Sequence, residues 1–469
     1  MKKLVVVGWL FAAGMVSAQQ DRGARQQKID VQSYLIDAQV DPRAATLSAT
    51  VLVRFIPLED TSSVTFELNN ALNISKVVDE DGRQVPASRM AQDMTIKLSL
   101  QETLKKGKVA ALTFIYDGKL TGDEESPVFG IKFAAIHPEN AFLLYPARWF
   151  PVNDYSIDRF SSDLKVTVPD GYKVAASGTE SKETAPAGLA AYRFKFDQSS
   201  FPGNFAVVRG EAQMVAAGGI KTYFYLRDSA AMAQAYGEEI AKAISFFTNI
   251  YGVPPRLSLT VVETEAGAAN GYSGPGMLFL SPAGIGKQVN TKLVANQVSR
   301  QWFGTLVSPT TRNHMWLENG LARYSEMLYA ENLNGPGAFD TEIHDAFVEA
   351  LTVDQPPMIQ AARLEDYSPE YWATTGGKGA AVLQMLRNVL GDEAFMKVLK
   401  EYPSRFAWKS ANTDDFHKIC EEAYGQSLNW FFQQWVESSG APEFKMEYTV
   451  FRTQKGFRVM GKISQDLDL

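Results

Sequence analysis

Cysteine is nearly absent: the 469 residues contain one, Cys420. A single cysteine excludes an intramolecular disulfide and any zinc cluster built on thiolates. Its setting on an expected helix, KICEEAYG, offers nothing to lower a thiol pKa, so it reads as a buried structural residue. Histidine is almost as scarce. The four histidines, His137, His314, His344 and His417, include no pair spaced three or four apart, so no helix can turn two imidazoles toward one metal. His314 reads as a loop or capping residue. Basic blocks are missing too. A formal net charge of −7 without a Lys/Arg stripe makes nucleic acid an unexpected partner. After the first eighteen residues no stretch approaches twenty apolar positions, so no membrane span is expected.

Lys2 and Lys3, the apolar run Leu4 to Ala13 and the small-residue sequence Val16-Ser17-Ala18 have the layout of a secretory signal peptide. Cleavage after Ala18 predicts an exported protein, periplasmic in a bacterium or secreted. No cysteine follows to carry a lipid anchor.

From Gln27 to about Gly210 apolar residues alternate with polar ones. Leu47, Ala49, Val51, Val53 and Phe55 do so, as do Val64, Phe66 and Leu68, then Ala110, Leu112, Phe114 and Tyr116, and Leu164, Val166 and Val168. Period two predicts strands, separated by turn signals such as Asp81-Gly82 and Pro169-Asp170-Gly171. Asp79, Asp81 and Gly82 lack the closing Glu of a calcium loop and read as a hairpin turn. After Lys221 the period becomes helical: Tyr236, Ile240, Ala243, Phe247 and Ile250 precede a stop at Gly252 and Pro254-Pro255. A buried strand follows over Leu257 to Val262, then a Gly-rich loop from Gly267 to Gly276. Nearly everything from Thr291 to Trp435 reads helical, with breaks that include Pro309 and Gly376-Gly377. The tail returns to period two in Phe444, Met446, Tyr448 and Val450, and reads as an edge hairpin or the beginning of a further β domain.

Two short motifs carry little. Gly271-Tyr272-Ser273-Gly274-Pro275 has Pro where a nucleophile elbow needs its last Gly. The Gly-rich Thr374 to Ala380 has Gly379 where a phosphate loop needs Ser or Thr after Lys.

The informative stretch is Leu293 to Glu326, LVANQVSRQWFGTLVSPTTRNHMWLENGLARYSE. It resembles the membrane alanyl aminopeptidase family, the gluzincin zinc aminopeptidases that include leukotriene hydrolase. Their signature is similar to HE-x-x-HQWFGNLV followed by WLNEGFA-x-Y-x-E. Gln301 to Gly304, Leu306-Val307, Trp316-Leu317, Gly320, Ala322, Tyr324 and Glu326 match in register. Arg148-Trp149-Phe150-Pro151, Asp158-Arg159-Phe160 and Phe431 to Trp435 extend the resemblance to most of the chain. It implies an α+β multidomain protein: an N-terminal β saddle or sandwich domain (27–212), a thermolysin-like, mainly helical catalytic-type domain (213–441) and a short β tail (442–469), after a signal peptide (1–18).

The same resemblance implies zinc, and the positions that would serve it have changed. The metal ligands fall on Asn296, Arg300 and Asn319, and the general base on Gln297. The substrate-amine anchor falls on Ser273 and the oxyanion Tyr on Gly376. Amides are weak ligands, and an Arg that cannot lose its proton repels a dication. Loss of a general base alone costs about 10²–10⁴ in rate. The expectation is therefore an exported pseudoenzyme without zinc, acting as a peptide-binding or assembly module, with a peptide or a protein such as an active homologue as partner. The alternative is a metallopeptidase or other hydrolase working through residues outside the family pattern. Arg300, Glu318 and Glu326 are the candidate cleft residues, with Arg300 pairing to Glu318 or Glu326. Glu318 precedes the third ligand position by one residue, a rotation of about 100° around a helix.

Overall fold

The computed structural model describes residues 28–465, so the expected signal peptide lies outside the described residues. The N-terminal part is all β. Ile29–Asp41 and Thr46–Pro57 pair antiparallel inside a seven-stranded sheet. Phe160–Pro169, Leu189–Ser200 and Thr179–Glu183 continue it on one side, and Ala110–Lys119 and Leu72–Asp79 on the other. Leu47, Ala49, Val51, Val53 and Phe55 all point inward, as period two requires. Separate three- and four-stranded sheets complete this region.

A five-stranded sheet begins the second part, in the order Gln213–Ala217, Ile220–Tyr225, Ser258–Glu263, Met277–Leu280, Gly271–Gly274. Its strands serve two cores because alternate side chains leave opposite faces. Val262, Met277 and Phe279 join the core of the β region, whereas Leu259, Val261, Leu278 and Leu280 join that of the helices. The chain is thus an α+β protein, with a β-rich region first, a helical region second and two strands last.

Three expectations need correction. The Gly-rich segment before Met277 is not all loop: Gly271–Gly274 is a strand that folds back on Met277–Leu280. Nor is the helical region all helix, since Val307–Pro309 pairs in parallel with Lys409–Ala411. Gly376-Gly377 do not break their helix. Pro369–Trp372, a π-helical Ala373–Lys378 and Gly379–Leu390 follow one another without interruption. The glycines are there for close approach: a Cβ on Gly377 would lie 2.8 Å from the Glu349 carboxyl carbon, and one on Gly379 would lie 2.9 Å from the Gly320 Cα.

The last strands, Phe444–Thr453 and Gly456–Gln465, form a two-stranded antiparallel hairpin that pairs with no other strand among the described residues. Their register places Phe444, Met446, Tyr448 and Val450 on the same face as Phe457, Val459 and Ile463. All seven side chains are exposed.

Candidate functional site

The site is built on two helices, Thr291–Ser299 and Trp316–Asn334, joined by a loop. Asn290 caps the first by accepting a bond from the Leu293 amide at 3.1 Å. The second stops at Gly335, whose φ of 83° is costly for other residues. Large aromatics fix both to the core: Trp302, Phe303, Trp316 and Tyr324 are buried. Trp302 Nε1 donates to the Gly252 carbonyl at 3.0 Å, and Trp316 Nε1 to Thr413 Oγ1 at 3.0 Å. The Arg159 guanidinium reaches across from the β region. It donates to the Thr305 carbonyl and to Ser308 Oγ, each at 2.8 Å, holding the loop that joins the helices. Burial lowers the pKa of Arg159 to about 10.

The positions assigned to the three metal ligands converge on one side chain. Arg300 Nε donates to Asn296 Oδ1 at 3.0 Å, Nη2 to Asn319 Oδ1 at 2.9 Å and Nη1 to Glu318 Oε1 at 2.9 Å. Glu318 and Asn319 are neighbours whose side chains leave the helix in different directions, yet the planar guanidinium fork reaches both. The rotation between them therefore does not separate Glu318 from the site. Gly304 makes room for this carboxylate, because its φ is +115° and a Cβ there would lie 3.1 Å from Glu318 Oε1. Burial raises the Glu318 pKa above the usual carboxylate range, although Arg300 and Arg159 oppose the rise.

Glu326, the other expected partner of Arg300, is bonded elsewhere. It accepts from Asn296 Nδ2 and from Arg323 Nη1. Burial raises its pKa as well, against the opposing charge of Arg323. These partners settle the amide orientations: Asn296 donates to a carboxylate and accepts from a guanidinium, so Gln297 Nε2 must donate to Asn296 Oδ1, at 3.0 Å. Gln297 Oε1 is buried at the cleft with no hydrogen-bond partner among the described residues. Asn319 Nδ2 donates onward to Tyr371 Oη at 3.1 Å and Thr375 Oγ1 at 3.0 Å.

This donor set does not fit zinc. Two amides and a guanidinium supply neither negative charge nor imidazole basicity, and the amide oxygens are engaged by Arg300. Among the described residues no three His, Cys, Asp or Glu side chains gather as a metal would require.

The network forms one wall of a cleft of about 540 Å³. Ser273 lines it from the strand Gly271–Gly274, and its Oγ accepts from Gln301 Nε2 at 2.8 Å. Gln301 also donates to the Gly274 carbonyl and accepts from the Gly276 amide, each at 3.0 Å, so it fastens the turn that presents Ser273. Gly376 is buried in the π-helical stretch and gives the cleft no side chain. The wall near it is formed by Tyr371 and Trp372, and the Arg300 guanidinium lies 5.9 Å from the Trp372 ring centroid. Neither aromatic was singled out from sequence, although Tyr371-Trp372 beside a Gly-rich helix was a usable signal. Tyr145, Phe201, Tyr272 and Tyr367 add further aromatic lining. Every cation of the cleft faces a carboxylate: Arg300 with Glu318, Arg312 with Asp366, Arg323 with Glu326 and Lys292 with Glu342.

Comparison with known proteins agrees with this architecture. Residues 282–435 match the peptidase family M1 domain. Aminopeptidase M1-A of Oryza sativa subsp. japonica is 28% identical over 221 residues, 44% of this chain and 25% of that protein. Aminopeptidase 2 of Candida albicans is 23% identical over 429 residues, 83% of this chain and 45% of that protein. The chain thus spans well under two thirds of the length of these relatives. Among solved structures, a mutant of the M1 zinc metallopeptidase from Deinococcus radiodurans superposes with a TM-score of 0.72 at 21% identity, covering 90% of this chain and 97% of that one. The same enzyme mutant bound to a Tyr-Ser-Ala substrate gives 0.72 at 21%, covering 90% and 96%. The chain is thus related to the M1 aminopeptidases, with its match to the peptidase family M1 domain confined to residues 282–435.

Proposed function

We propose that this protein is an exported, catalytically inactive relative of the M1 aminopeptidases whose cleft binds peptides without cleaving them. One observation carries the proposal. The three positions assigned to metal ligands are joined by the Arg300 guanidinium, which bonds Asn296, Asn319 and Glu318 at 2.9–3.0 Å. A fixed cation at the centre of the ligand positions opposes a dication, and the base position holds the amide of Gln297, which has no basicity at neutral pH. The amine-anchor and oxyanion positions, Ser273 and Gly376, lack a carboxylate and a phenol respectively. Peptide binding follows from the wall that remains, an open cleft lined by aromatic rings and hydrogen-bonding groups.

The test has two arms on the full chain. Aminoacyl reporters are incubated with the zinc-supplied protein with and without a chelator, and no chelator-sensitive hydrolysis is expected. Trp372 lies against Arg300 in the cleft, so tripeptide binding should change its fluorescence saturably, and Trp372→Phe should remove that signal. Chelator-sensitive turnover refutes inactivity; absence of any saturable peptide response refutes the binding role.

A further inference from the structure

The charge balance of the cleft narrows the kind of peptide it suits. An aminopeptidase substrate brings an ammonium at one end and a carboxylate at the other. Burying either charge is costly unless an opposite, hydrogen-bonded charge receives it. Each of the four cations described above is already matched by a carboxylate, so the lining presents no uncompensated charge to either end of such a peptide. Ser273 offers only a hydroxyl at the amine-anchor position, and Gln301 already holds it at 2.8 Å. Two buried atoms of the cleft lining lack a hydrogen-bond partner among the described residues: Gln297 Oε1, an acceptor on a residue only 6% exposed, and Arg312 Nε, a donor whose guanidinium charge Asp366 already balances; a peptide amide, with one N–H and one C=O, offers what each lacks. The orientation of the Gln297 amide is imposed through Asn296 by Arg300 and Glu326, so it does not rotate to become a donor without breaking those bonds. A peptide N–H suits such an acceptor; an ammonium stripped of water and given one amide oxygen does not.

We infer that the cleft selects neutral peptide segments, end-blocked or internal to a longer chain, over peptides with a free α-amine. This rests on the peptide-binding role proposed above and adds the ligand class. The loss of the amine anchor is then a change of specificity as well as a loss of catalysis. The partner is an extended stretch within a polypeptide, and its aromatic or planar amide groups lie against rings such as Tyr371 and Trp372.

Titration calorimetry of the full chain at pH 7 with two matched probes, Ala-Tyr-Ala and acetyl-Ala-Tyr-Ala-amide, tests it. The capped peptide should bind about tenfold tighter or better, the scale of one hydrogen bond retained against one charge left unpaired. Ser273→Glu, which returns a carboxylate to the amine-anchor position, should narrow or invert that preference while the melting temperature reports an intact fold. Equal or tighter binding of the uncapped peptide by the unaltered protein overturns the selectivity and leaves the peptide-binding role standing. Binding of neither peptide removes the role, and the selectivity with it.

Discussion

The helix pair at the site, with the turn that follows its first helix, carries two sets of side chains under different constraints. Trp302, Phe303, Trp316 and Tyr324 point into the core and match the peptidase pattern in register. At the cleft Asn296, Gln297, Arg300 and Asn319 depart from that pattern at each position, and still form a connected hydrogen-bond network. The aromatic face is held by volume and by indole hydrogen bonds, which no catalytic requirement sets. The polar face is set instead by hydrogen bonding, and a guanidinium with three amides and a carboxylate bonds its buried groups to one another except for Gln297 Oε1. Scaffold and chemistry are separable within one pair of helices, and the two faces should fail in different ways when perturbed.

The largest effect is expected on the aromatic face. Trp302→Ala should cost about 3–5 kcal/mol through lost burial and a cavity, read as a fall in denaturation midpoint. On the polar face, Arg300→Met should cost roughly 3 kcal/mol or more, because Glu318 is left buried without its cation. Adding Glu318→Leu to Arg300→Met should recover much of that loss, since the uncompensated charge disappears. A double variant no more stable than the single one would show that Arg300 acts by packing, and the two faces would then not differ in kind.

A pH-dependent effect separates the faces further. Burial raises the Glu326 pKa above its ordinary 4.5. The folded state therefore holds this proton to higher pH than the unfolded chain does. The contribution of Glu326 to stability is greatest below about 4.5 and falls as pH rises through the folded pKa. Glu326→Gln lacks this titration, so its stability relative to the unaltered protein should improve as pH rises across that window, by denaturant titration. A difference that is flat with pH, or that declines, contradicts the assignment. The smallest effect belongs to the aromatic face again: Tyr324→Phe removes the 2.7 Å bond to Gln384 Oε1 and should cost about 1 kcal/mol.

The same division explains what could be read from the sequence. Period-two runs such as Leu47 to Phe55 and the aromatic frame are local patterns, and burial follows from them directly. The sequence offered Glu318 and Glu326 as alternative partners of Arg300, since both lie on the second helix of the motif, and the structure pairs Arg300 with Glu318. The partner of Glu326 was not legible. Asn296 and Arg323 compete for it, and spacing alone cannot rank an amide and a guanidinium against another guanidinium. Gly376-Gly377 looked like a break because glycine disfavours helix, whereas Gly377 allows Glu349, and Gly379 allows Gly320, to approach the helix closely. Strand Gly271–Gly274 was hidden by its glycines, and the bond from Gln301 to Ser273 spans 28 positions, beyond any local pattern.

The central claim is that Arg300 and the amides around it close the metal position. Zinc content measures it most directly, determined on the purified full chain after zinc equilibration and gel filtration, beside a variant carrying Asn296→His, Gln297→Glu, Arg300→His and Asn319→Glu. No stoichiometric zinc is expected in the unaltered chain, and stoichiometric zinc is expected in the variant. Stoichiometric zinc in the unaltered chain would contradict the claim.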